Sequence, residues 1–315
     1  SSMKEKIHPK WKGVGVRIVL IYVSLTLLEI LFLVAGDMNL FDSLCHSFGT
    51  IATGGFSTKN TSLMFFSPYS QYIVMIFMFL AGTSQVVYYY LVKLNFRKIK
   101  HNDELWFYLF TVILSGAIAV SILWVHFGNP LVDSFREGYF QVISIITCTG
   151  FASADYLLWP SAGTALLFLL MFSGGSTGST SGGIKLARHL IVLKNIRRVL
   201  IRLSHPNSIV PVKLNGTIVE EPTNISIFSF IMLYFFIFLV VTVLLTVNGS
   251  DPVTSASSVA TCMAGICPGL GTVGPMSNYA GMPELSKVML SLTMIIGRLE
   301  IITIFVLFSR SFWRI

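Results

Sequence analysis

Apolar residues gather into six long runs, near 16–36, 69–95, 104–127, 162–195, 224–247 and 284–309. Each is long enough for a membrane-spanning helix, which needs about 20 residues. Between them lie three shorter segments, near 40–52, 134–148 and 252–264. A helix of about 13 residues rises only about 20 Å, so each can enter a bilayer without crossing it. The order of span, short helix, glycine-containing turn and span recurs three times along the chain. Aligned on the aromatic, Ala52-Thr53-Gly54-Gly55-Phe56 stands beside Thr147-Cys148-Thr149-Gly150-Phe151, with Gly265-Ile266-Cys267-Pro268 at the third place. The pattern predicts an all-α integral membrane protein of repeated units, each a helix, a re-entrant pore helix and a second helix.

Composition agrees. Hydrophobic residues make up 54% of the chain and charged residues 11%, and mean hydropathy is +0.75. Such a chain is outside the water-soluble globular class. No signal-peptide pattern opens it. The net charge of +8 is not pooled into a nucleic-acid patch. Lys4, Lys6, Lys10, Lys12 and Arg17 precede the first span; Arg97, Lys98 and Lys100 follow the second; Arg188 to Arg202 follow the fourth; Arg310 and Arg314 end the chain. Alternate connections carry mostly acids: Asp37, Asp42, Asp133, Asp155, Asp251 and Glu284. The positive-inside rule then puts both termini in the cytoplasm, with the basic runs as anchors beside anionic lipid. Cys45, Cys148, Cys262 and Cys267 lack zinc-type spacing, and no disulfide framework is expected.

Backbone that leaves the helix at membrane depth must be buried in protein or line a watery cavity. The three turns are therefore expected to converge on an axis. A short helix entering from outside aims its partly negative C-terminus at the membrane centre, which favours a cation, with Asp133 and Asp251 near the outer ends. Carbonyls following those ends can replace a hydration shell, and glycine supplies the φ values that turn them one way. The candidate ion-binding residues are Thr53, Gly54, Gly55, Cys148, Thr149, Gly150, Gly265, Ile266 and Cys267. Simple extracellular hairpin tips are the alternative.

A helix from Ser161 to Leu200 would be about 60 Å long, twice the hydrocarbon thickness. The run Gly174, Gly175, Ser176, Thr177, Gly178, Ser179, Thr180, Ser181, Gly182 and Gly183 divides it, a candidate gate crossing a pore beneath the turns. It lacks the strand and the Lys-Ser/Thr order of a phosphate loop, and it is too long for a small-residue packing face alone. Arg298, placed near mid-membrane, is expected to face the pore or a partner. It would act as a barrier to cations, as a tether of the gate, or as a cap on carbonyls of the broken helix. Lys185 reads as an interfacial lysine or a gating group, and Glu29 as a buried helix-contact residue. A coupled carrier using Glu29, Arg298 and Glu300 as a proton relay is the alternative function.

Thr50 to Thr58, Thr147 to Ala152, Gly174 to Lys185, Pro268 to Gly271, Gly297 to Ile301 and Phe312-Trp313-Arg314 together resemble the TrkH family of the TrkH/KtrB/HKT superfamily. The resemblance covers essentially all 315 residues. It implies potassium uptake without enzymatic chemistry or a cofactor, multi-pass in the bacterial inner membrane, through pore repeats about a pseudo-fourfold axis. It also implies a filter glycine in each repeat, a gate loop in the third, a barrier arginine in the fourth, a homodimer, and a cytoplasmic nucleotide-binding partner of the TrkA type. Residues 1–100, 101–202 and 223–315 correspond to the second, third and fourth repeats, with a cytoplasmic connection at 203–222 and the first repeat missing. Cys267 stands where the family has glycine, and strain of about 1 to 2 kcal/mol is expected there.

Overall fold

The computed structural model describes residues 11–128, 130–299, 301–307 and 310–313, with residues 11–14, 310 and 311 as backbone only. Glu300, and with it the third member of the suggested relay, lies outside the described residues. The first of the three helical units in this chain opens with α1 (Trp11–Val34). The short α2 (Leu40–Ile51) starts where the Asn39 side chain accepts the Asp42 N–H at 2.7 Å. After the first turn comes α3 (Pro68–Ala81), launched by Ser67 as cap and a proline at its first position. Two further helices, α4 (Gln85–Val92) and α5 (Phe96–Lys100), complete this unit.

The second unit consists of α6 (Asp103–Phe127), α7 (Leu131–Ile146), α8 (Ser161–Leu170) and α9 (Leu186–Ser204). A small hairpin of β1 (Lys213–Leu214) and β2 (Thr217–Ile218) follows, turned by Asn215 and Gly216 at φ 51° and 81°. The third unit holds α10 (Glu221–Val247), α11 (Pro252–Ala264), α12 (Glu284–Arg298), α13 (Ile301–Leu307) and α14 (Arg310–Trp313). Asp251 caps α11 through the N–H groups of Val253 and Thr254, at 3.1 and 3.2 Å.

Among the described residues, α1, α6 and α10 are the helices long and apolar enough to cross a membrane unbroken. They carry the short α2, α7 and α11 against them. The α6 and α7 backbones come close because Gly138 faces Val120, where a Cβ would lie 3.1 Å from the backbone nitrogen. One core runs from α3 through α6 and α7 with Tyr108, Phe140, Ile146 and Met78 at its centre; a second joins α10, α11 and α12 through Tyr234, Met263 and Leu290. The chain is all-α apart from the hairpin.

Two of the expected straight spans are broken. The run at 69–95 divides into α3 and α4, which meet at 93° across Gly82, Thr83 and Ser84. The run at 284–309 divides after Arg298, and α13 leaves α12 at 104°. Averaged hydropathy passes over both breaks, since each helix pair is apolar enough, taken together, to count as one span. Their cause is tertiary. A Cβ on Gly82 would lie 2.6 Å from Thr147 Cγ2, and the Gly82 carbonyl accepts the Ser176 N–H at 2.9 Å instead of continuing a helix. Arg298 is accordingly the last residue of α12, at a helix C-terminus and not within a continuous span.

Candidate functional site

Each short helix ends in a turn of the same construction. Its first and third residues have positive φ: Thr53 and Gly55 at 52° and 67°, Cys148 and Gly150 at 56° and 88°, Gly265 and Cys267 at 75° and 81°. The middle residue sends its N–H back to its own helix, Gly54 to Gly49 O at 2.7 Å, Thr149 to Ser144 O at 2.9 Å, Ile266 to Thr261 O at 2.9 Å. In a trans peptide the carbonyl points opposite to the N–H. The carbonyls of Thr53, Cys148 and Gly265 therefore point away from their helices.

The turns also meet one another. A Cβ on Gly55 would lie 2.0 Å from Thr149 O, and one on Gly150 would lie 1.7 Å from Ile266 O. The third contact closes the order through a real side chain, with Cys267 Sγ 3.8 Å from Gly54 O. Glycine is required at the first two of these positions because the neighbouring strand's carbonyl occupies the space a side chain would need. Cys267 takes the left-handed φ expected for the missing glycine. One of its expected roles changes: the Cys267 carbonyl accepts the Tyr279 hydroxyl at 2.7 Å, so it is engaged outside the ring.

The strip between α8 and α9 is non-helical from 171 to 185 and touches all three turns. Thr53 Oγ1 donates to Thr180 O at 3.0 Å. Cys148 Sγ is 3.8 Å from Ser173 O, and a Cβ on Gly182 would lie 2.0 Å from Ala264 O. Its polar backbone is satisfied partly from within, Gly174 N–H by Ile184 O at 2.8 Å and Gly175 N–H by Ser181 Oγ at 2.9 Å, and partly from other elements, Ser176 N–H by Gly82 O at 2.9 Å and Thr177 N–H by the Glu104 carboxylate. Within it, the Ser179 and Ser181 hydroxyls lie 2.8 Å apart, and Gly178 and Gly183 have φ 79° and 64°. The three turns thus touch one another in order, and the strip lies against each of them.

A family model described as TrkH, cation transport protein, matches residues 1–315. The chain belongs to the TrkH family. The Trk system potassium uptake protein TrkH of Halomonas elongata is 34% identical over 315 residues, covering 98% of this chain and 64% of that protein. The protein of the same name from Escherichia coli K12 is 33% identical over 313 residues, with the same two coverages. The crystal structure of the potassium transporter TrkH from Vibrio parahaemolyticus superposes with a TM-score of 0.91 at 28% identity, over 99% of this chain and 67% of that one. The chain thus spans 64% of the length of these curated relatives.

Within this TrkH fold the charged candidates separate. Arg298 Nη1 donates to Thr180 O at 3.1 Å. Gly297 allows that reach, since a Cβ there would lie 2.0 Å from Met263 O at the end of α11. Lys185 does not extend to the interface, as an anchoring lysine would. Its ammonium folds back onto Ser181, donating to the carbonyl and, at 3.0 Å, to the hydroxyl. Glu29 is fully buried beside Thr50 of α2, while Arg298 is bound to the strip.

Several supporting groups were invisible to motif reading. Ser144 Oγ donates to Phe151 O at 2.6 Å, Ser257 Oγ to Leu270 O at 3.2 Å, and Tyr156 Oη to Gly269 O at 2.8 Å. Lone serines in an apolar run carry no signal until the partner carbonyl is known. Glu104, in the first turn of α6, holds the Thr177 N–H, 73 residues away.

Proposed function

We propose that the chain forms the ion pathway of a potassium uptake protein, in which the cation sheds water against carbonyls of the three turns and the glycine-rich strip gates its exit. The observation that carries this reading is the shared peptide orientation, which turns the carbonyls of Thr53, Cys148 and Gly265 from their helices toward one centre. Potassium as the ion rests on the names of the relatives. From the distribution of basic residues we assign both termini of this chain to the cytoplasm, and from the family resemblance we assign the protein to the bacterial inner membrane, as a homodimer regulated by a nucleotide-binding subunit of the TrkA type. Arg298 and Lys185 hold the strip in place, and their charge opposes a cation beneath the turns. No covalent chemistry is proposed.

The test is rubidium uptake into proteoliposomes holding the full protein, before and after a mercurial is coupled to Cys267. Uptake that falls on labelling and is spared in Cys267→Ser supports the reading. Absent uptake, or uptake unchanged after demonstrated labelling, overturns it.

A further inference from the structure

His46 sits in the middle of α2, fully buried, directly behind the first turn. Its Nδ1 lies 2.7 Å from the Asp42 carbonyl. A carbonyl can only accept, so Nδ1 carries the proton in the neutral ring. Nε2, 2.9 Å from Ser57 Oγ, is then the acceptor, and the Ser57 hydroxyl donates to it. Ser57 is the second residue after Gly55, and its oxygen also accepts the Lys59 N–H at 3.1 Å. Through this one hydroxyl the ring ties the exit of the first turn to the pore helix.

The ring also packs on the second turn. Its centroid is 5.7 Å from Phe151, which follows Gly150, and 5.1 Å edge-on from Phe66. The charged groups that face it are Asp42 from its own helix and Lys59 from the loop after the turn. Asp42 is itself held by Thr58 Oγ1 at 2.5 Å, by Asn39 Nδ2 at 3.0 Å and by the Lys59 ammonium at 3.8 Å. Phe66 and Phe151, the remaining neighbours, do not titrate. A second proton on the ring would turn Nε2 into a donor aimed at a hydroxyl that was donating to it, and would place a cation between two aromatic side chains.

We propose that His46 is a positioning residue for the first turn, and that its protonation from the outer side releases the turn's exit and lowers cation flux. The proposal rests on the reading of the turns as an ion pathway. It makes the pathway sensitive to external acid through one imidazole that never touches the ion.

The experiment is rubidium flux through the full protein in proteoliposomes, with the outer pH varied between about 8 and about 5, the range in which imidazole titrates. Wild-type flux is expected to fall several-fold and to recover on return to high pH. His46→Gln keeps a side chain able to bond Ser57 but does not titrate, so its profile is expected to be flat. Ser57→Ala, which leaves the ring untouched, should also flatten the profile and keeps the test valid if the histidine variant fails to fold. A wild-type profile that is flat, or that either variant reproduces, overturns the proposal. Nitrogen NMR of the His46 ring separates this from failure of the ion-pathway reading. With no flux at any pH the pathway reading fails, while a ring that carries its proton on Nδ1 at high pH and gains a second on Nε2 in acid would still support the brace; a proton on Nε2 at high pH would overturn it.

Discussion

The three turns and the strip all contain glycine and all leave the helix inside an apolar chain. They differ in where their backbone groups find partners. Each turn is bonded to its own short helix, five residues back, by the same N–H at the same position. The strip has internal bonds of its own, such as Gly175 N–H to Ser181 Oγ, but also depends on Gly82, Glu104, Thr53 and Arg298, which belong to different elements. Bonds within one element survive relative motion of the others, whereas bonds between elements are lost when those elements separate. On the proposed reading the turns stay in place and the strip moves.

The largest expected effect comes from placing a Cβ in a turn and in the strip. Gly150→Ala puts a methyl 1.7 Å from Ile266 O at φ 88°, an overlap on top of a left-handed cost of about 1 to 2 kcal/mol. Rubidium flux should fall to background, with a lower melting temperature. Gly178→Ala has a comparable φ of 79° but meets only Ser84 Oγ at 3.6 Å. Flux should persist, and equal damage from both would erase the distinction between the regions.

A smaller effect follows from cutting one of the strip's tethers. Arg298→Ala removes a charged donor to Thr180 O, worth about 1.5 to 3 kcal/mol in a buried setting. With partial exposure this corresponds to about a tenfold shift toward the displaced strip. Flux should rise while the ratio of potassium to sodium flux is unchanged, as ion competition would measure. A fall in flux would mean that the arginine supports the turns and not the barrier.

The smallest effect lies outside both regions. Burial alone would raise the Asp37 carboxyl, but the Ser67 N–H and hydroxyl and the Ser70 hydroxyl outweigh it and hold the group below its usual value. Its folded value is below its unfolded one, so its contribution is complete above the unfolded value and is lost as pH falls through the folded value. Asp37→Asn should cost about 1 kcal/mol at most at neutral pH and nothing in acid. Thermal melting across pH reads this, with flux unaffected.

The repeat, the short helices and the interruption at 174–183 were legible because each is a local departure from a strong apolar background. The charges were harder. Arg298 could be seen to need a partner, but the partner is 118 residues away. His46 was invisible, because a histidine in a half-apolar helix looks the same whether it faces lipid or braces a turn. The break at Gly82 was missed for a related reason: glycine in an apolar helix is common, and nothing nearby shows that its carbonyl has a better acceptor role elsewhere.

From sequence alone follow the helical membrane class, the threefold recurrence of the unit, and the glycine-containing turns that break it. These are local matters of length, polarity and φ, which a window of neighbouring residues contains. Only the tertiary structure decided that the turns face one another, that the Cys267 carbonyl is held by Tyr279, and that Glu104, Lys185 and Arg298 all act on one strip. Those are pairings across distant parts of the chain, chosen by which buried donors and acceptors come within reach once the helices have packed.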